Sequence, residues 1–267
     1  MNLMPKADVN GVSLAYIDEG EGEPLIFLHG LGGSGRDWQP QIAHFRQHWR
    51  VIAPDFRGHG DSDKPDGPYS VPIHASDVVA LMDTLGIGSA HVVGLSMGGM
   101  VAFQMAADAP GYLRSMSIIN SGPALPNDSF AAKKMLWLRL LMIHLLGMRT
   151  YARKVATNMF AGEGREALIE QFASEVAANP KPVYLKNLKS LFGWGVMSQL
   201  PTIATPTLML TGDRDYSPVD IKQAVVSAMR NARLVVVTDS GHGTPMEKPS
   251  ETNAAVETFI RDVSATE

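Results

Sequence analysis

Cysteine is missing from all 267 residues, which excludes disulfides, thiolate nucleophiles and cysteine-held metals. An excess of basic charge is also missing. The 23 Lys and Arg face 27 Asp and Glu, for a net charge of -4, so the chain as a whole has no footprint for nucleic acid and little pull toward an anionic membrane. Long apolar runs are scarce too. The most apolar window, MLWLRLLMIHLLGM at 135–148, is interrupted by Arg139 and His144 and falls short of the ~20 residues that span a bilayer. It is expected to be buried inside the protein, with no stable membrane insertion. MNLMPKADVN lacks a basic stretch followed by an apolar one, so no secretory leader is expected. Together with the missing cysteine, this fits a cytoplasmic location. Internal repeats and low-complexity tracts are absent as well. His44, His48, His74, His91 and His144 fall at no spacing that suggests a metal site, and neither metal nor cofactor is expected.

What is present is an alternation. Asn10-Gly11 between alternating apolar positions predicts a hairpin. The apolar runs PLIFLHG, RVIAPD, HVVGL, LRSMSIINSG, PTLMLTGD and ARLVVVTDSGH then read as buried strands. Helical stretches are predicted between most of them, over 37–48, 70–85, 97–109, 218–229 and 250–263. Continuous apolar strands alternating with helices predict an α/β fold, a mostly parallel doubly wound sheet of about eight strands covered on both faces. The alternation stops between Gly122 and Pro201, where roughly 80 residues look wholly helical. The predicted division is a core of 1–121 and 202–267 with an all-helical cap inserted at 122–201.

In such sheets ligands sit beyond the carboxyl ends of the strands, and there the sequence HVVGLSMGGM places Ser96 between Gly94 and Gly98. A serine hydroxyl needs a base beside it and a third group to orient that base. His242 follows the strand 234–237 in a glycine-flanked loop, and Asp213 and Asp215 follow the strand 207–210. An acyl-transfer reaction also needs donors for a developing oxyanion. The backbone N–H of Met97, at a helix N-terminus, and that of Leu31, in HGLGGSG, are the candidates. Donors of this kind are worth about 3–4 kcal/mol each. The two glycines around Ser96 give clearance for a sharp strand-to-helix bend that exposes the hydroxyl.

The motifs HG, DxRGxGxS, GxSxG, GxxD and GHxxxxE follow one another in order. Across nearly its whole length the chain resembles α/β-hydrolase-fold enzymes. GLSMGGM and GDRDYSPVD are similar to bacterial carboxylesterases and 3-oxoadipate enol-lactonases. The resemblance implies Asp215, the last residue of GxxD, as the acid rather than Asp213, giving a Ser96–His242–Asp215 triad. The expected activity is a carboxylesterase reaction on a small-to-medium, mostly apolar ester, without cofactor. His29 and Gly30 are expected at the substrate-binding loop, with His29 chiefly shaping it. Trp137, Met142, Phe160, Phe192 and Trp194 are candidates for an apolar acyl pocket, although packing alone would also explain them. Arg57, His59 and Asp61 read as scaffolding. Alternatives with the same triad are an enol-lactonase, a carbon–carbon bond hydrolase, or a ligand receptor without turnover.

Overall fold

A computed structural model describes residues 4–160 and 162–266. The first strands, β1 (Lys6–Val9) and β2 (Val12–Glu19), form the expected hairpin. Its turn residues Asn10 and Gly11 take φ of 47° and 77°, the left-handed pair that matches strand twist. Next come β3 (Glu23–Leu28), α1 (Gln39–Phe45), β4 (Trp49–Pro54), α2 (Val71–Thr84), β5 (Ala90–Leu95), α3 (Met97–Asp108) and β6 (Leu113–Ile119). The chain returns to the sheet with β9 (Thr207–Gly212), α7 (Val219–Ser227), β10 (Ala232–Val237), the short α8 (Thr244–Glu247) and α9 (Pro249–Ser264).

The eight strands lie in the order β1-β2-β4-β3-β5-β6-β9-β10. Only the β1–β2 and β2–β4 pairings are antiparallel. Alternate residues of β3 explain the unbroken apolar run: Ile26 and Leu28 pack into one core with α2 and α3, while Leu25 and Phe27 pack into a second with α1 and α9. The strand order reverses between β3 and β5, and loops diverging at such a switch leave a crevice at the carboxyl edge. The Ser96 turn opens there.

Between β6 and β9 lie α4 (Phe130–Met159), α5 (Glu166–Ala178) and α6 (Lys181–Leu191). This insertion is not wholly helical. β7 (Ala124–Leu125) and β8 (Trp194–Gly195) pair antiparallel at its base, a ribbon too short to leave a period-2 signature in sequence. α4 is interrupted at Gly147, whose φ of 77° and ψ of 167° are not helical. The window 135–148, expected inside the protein, forms much of the first half of α4. Its inner side packs on α5 and α6 through Leu136, Leu140 and Ile143, but Trp137, Leu145 and Leu146 stand exposed. A helix apolar on all sides cannot be covered by neighbours on one side alone. Among the described residues no helix is long and apolar enough to cross a membrane.

Candidate active site

Ser96 joins β5 to α3 with φ of 52° and ψ of -113°, a conformation costing a non-glycine residue about 1–3 kcal/mol. Its neighbours explain how the bend closes. A Cβ at Gly94 would overlap the carbonyl of Gly98, and one at Gly98 would overlap the carbonyl of Leu28. The bend is anchored by the Ser96 N–H donating to Ile119 O at 3.0 Å and by Ser121 Oγ donating to Ser96 O at 2.6 Å. Met97 is the first residue of α3; its N–H therefore has no intrahelical acceptor and sits at the positive end of the helix dipole. Leu31 and Gly30, on the loop after β3, line the same cavity as Ser96.

His242 also lines this cavity. Its Nδ1–H donates to Asp215 Oδ1 at 2.6 Å, leaving Nε2 to the cavity side. Asp213 is turned elsewhere: its exposed carboxylate accepts from the Ser240 N–H at 3.1 Å. The loop carrying His242 is fixed on several sides. Its N–H donates to Met159 O, the end of α4, at 2.7 Å. Asn120 Nδ2 reaches His242 O and Thr244 Oγ1, each at 2.8 Å, while Asn120 Oδ1 accepts from Gly212 N–H at 2.9 Å. Asn120, just after β6 with φ of 47°, thus ties the acid loop to the histidine loop through its side chain. Tyr216 stacks on the imidazole with ring centroids 4.4 Å apart.

Behind the carboxylate lies a lysine that the sequence pattern did not single out. Lys222 Nζ is 3.4 Å from Asp215 Oδ2, with both side chains buried, and it donates to Ser121 O at 2.7 Å. Through Ser121 the cation links the acid to the Ser96 bend. Burial pushes the Asp215 carboxyl up, but the His242 hydrogen bond and the charges of His242 and Lys222 outweigh it, leaving the carboxyl below its ordinary range. Burial conversely lowers Lys222, with Asp215 opposing. The available signal was periodicity: Lys222 shares the buried stripe of Val225 and Met229 at i, i+3 and i+7, a core position that a lysine occupies only with a partner.

The cavity has a volume of about 670 Å³, within the range of small-molecule sites. The insertion contributes Leu125, Met135, Arg139, Tyr151, Val155 and Phe172 to its walls. Asp37, from the turn before α1, also faces it; burial and the nearby Glu175 of α5 push that carboxyl up.

Other candidates lie elsewhere. His29 is fully buried beneath the loop rather than in the cavity wall. Its Nδ1 faces Gly30 O at 2.7 Å and its Nε2 accepts from the Phe56 N–H at 3.0 Å. Trp194 donates from Nε1 to Gln104 Oε1 of α3 at 2.7 Å, and Met142 packs within the insertion. Phe160 abuts Gly243, and Phe192 packs in the insertion core. Trp137 points outward. None of these five is among the cavity-lining residues: the rotation of α4 turns Trp137 and Met142 away from it, while Phe160 and Phe192 follow helix ends and Trp194 lies on β8, and residue type does not reveal which way any of them faces. Arg57 pairs with buried Asp77, its Nη2 reaching Oδ1 at 2.7 Å; His59 Nδ1 lies 3.1 Å from Arg57 O, and Asp61 pairs with Arg36. Among the described residues, no group of three or more His, Asp or Glu is placed to hold a metal ion.

With this geometry in hand, the comparisons with known proteins are specific. The family model for the alpha/beta hydrolase fold matches residues 23–249, and the chain belongs to that family. A relative from Caulobacter vibrioides, named provisionally as the carbamate hydrolase RutD, is 29% identical over 245 residues, covering 89% of this chain and 90% of its own. The crystal structure of the enol-lactonase from Burkholderia xenovorans LB400 superposes with a TM-score of 0.89 at 27% identity, covering 96% of this chain and 100% of that one. A thermophilic esterase from Thermogutta terrifontis superposes with a TM-score of 0.86 at 27% identity, covering 98% of each chain. The chain is a hydrolase of the α/β fold.

Proposed function

We propose that this hydrolase cleaves carboxylic esters of small-to-medium, mostly apolar substrates through an acyl-enzyme, with Ser96, His242 and Asp215 as its triad. The observation that carries the reading is the 2.6 Å contact between His242 Nδ1 and Asp215 Oδ1, set in one cavity with the strained Ser96. Asp215 holds the ring in the tautomer whose Nε2 is basic. Ser96 Oγ attacks the ester carbonyl as its proton passes to His242 Nε2, and the N–H groups of Met97 and Leu31 receive the charge that develops on the carbonyl oxygen. His242 then delivers the proton to the departing alkoxide. Water, deprotonated by the same imidazole, releases the acid and regenerates the serine. Lys222 acts as a positioning residue, neutralising Asp215 from behind and keeping the carboxylate aligned with the ring.

A lactone is a cyclic ester, so ring opening by the same steps is the second reading; the likeness to the Burkholderia enol-lactonase favours it. The inserted helices act as the cap that selects between these substrates. The test is hydrolysis of a p-nitrophenyl ester series beside a lactone series, with Ser96→Ala as control. Multiple turnovers on short acyl chains, lost by at least about 10⁴-fold in the variant, support the ester reading. Faster ring opening of lactones establishes the second. Binding without turnover on either series overturns both and leaves a ligand receptor.

A further inference from the structure

The net charge of -4 conceals a local inversion. Between Phe130 and Met159, α4 holds Lys133, Lys134, Arg139, Arg149, Arg153 and Lys154, and not one Asp or Glu. Before the break at Gly147, the same helix carries Phe130, Trp137, Leu138 and Leu145 at i, i+7, i+8 and i+15, a single stripe at 3.6 residues per turn. Phe130 is 83% exposed, Trp137 60%, Leu145 72%, and the adjoining Leu146 52%. Isolated exposed leucines are ordinary, but a continuous stripe containing Phe and Trp marks a surface that something covers. Lys133 and Lys134 lie exposed along it, long enough to lay their methylenes on the apolar stripe while their ammonium groups reach outward.

Charge decides between two kinds of cover. A second copy packing by two-fold symmetry would set this basic helix against its own counterpart, and like charges at contact repel. An anionic lipid surface attracts the same groups, at roughly fivefold in affinity for each basic residue near it. We propose that the first half of α4 docks reversibly and flat on an anionic phospholipid surface, with Phe130, Trp137 and Leu145 entering the boundary between headgroups and acyl chains. This is the arrangement of a basic, apolar-faced interfacial helix, and it needs no membrane-crossing segment. Met135 and Arg139 of the same half-helix line the cavity, so docking sets one wall of the cavity against the lipid. The proposal concerns adsorption alone and stands whether or not the ester reading holds.

The test is co-sedimentation of the full chain with vesicles of phosphatidylcholine alone and with about 30% phosphatidylglycerol, alongside analytical ultracentrifugation without lipid. Expected is binding at least about tenfold tighter to the anionic vesicles, weakened by salt. Lys133→Glu/Lys134→Glu and Phe130→Glu/Leu145→Glu should each weaken it by about tenfold or more while melting like the parent. Equal or absent binding to the two vesicle types overturns the proposal without recourse to any variant. So does a dimer in solution that Phe130→Glu/Leu145→Glu dissociates, for then a second copy covers the stripe.

Discussion

Ten of the twelve residues of α3 are buried, whereas only five of the thirty in α4 are. α3 begins at the Ser96 bend, wedged against the sheet where even a methyl group would collide with backbone. α4 lies over the cavity, breaks at Gly147 and leaves a lipophilic side uncovered. The two regions meet at His242, whose loop is pinned by Asn120 from the sheet and by the Met159 carbonyl from the insertion. The difference teaches where precision is concentrated. On the proposed reading, groups that exchange a proton sit on rigid strand ends, and groups that fit a substrate sit on the less buried helices.

The sharpest way to break this contrast is at the acid. Asp215→Asn should lower kcat on esters by about 10³–10⁴-fold, while Asp213→Asn, two residues away on the same loop, should change it by less than about threefold. Steady-state kinetics of the pair decides, and equal losses would undo the assignment. Next in size is Lys222→Met. Removing one partner of a buried ion pair leaves the other uncompensated, so urea unfolding should show a loss of about 3 kcal/mol. Lys222→Arg should recover part of it. An unchanged midpoint in Lys222→Met would mean that water, not the lysine, satisfies Asp215.

A third experiment uses pH. Burial lowers His29 to about 3 and His74 to about 4, so the folded state holds both neutral where the unfolded chain, near 6.5, takes up protons. The unfolded state therefore binds more protons between about 6.5 and 4, and stability falls as pH falls through that window. The slope should be about 1.4 kcal/mol per pH unit for each histidine, measured by urea midpoints from pH 7 to pH 4. A flat profile would show that these rings are solvated and that the rigid side of the comparison is softer than described. The smallest effect belongs to the insertion. Met135→Ala should shift acyl-chain preference by about tenfold at most and leave stability within about 1 kcal/mol. A loss as large as that at Lys222 would erase the distinction between the two regions.

Much of the core was legible because its signals are local. Unbroken apolar runs require a sheet covered on both faces, and Asn10-Gly11 requires a turn of one hand. Gly94 follows from clearance against Gly98 within the same turn, whereas the clearance that requires Gly98 is against the Leu28 carbonyl of the neighbouring strand. The ribbon β7–β8 was not legible, since two-residue strands have no period. Nor was the outward turn of Trp137, because a helix apolar on every side does not reveal which side faces its neighbours. The net charge of the whole chain also averages over the six cations of α4.

The sequence by itself determined the sheet, the order of its loops and the bend that presents Ser96, because those depend on backbone freedom and on burial patterns within a few residues. Only the tertiary structure decided that Lys222 stands behind Asp215, the acid that the resemblance implied, and that His29 lies beneath the loop. Each of those outcomes rests on the direction of a side chain, which is set by partners on other loops and elements of the fold.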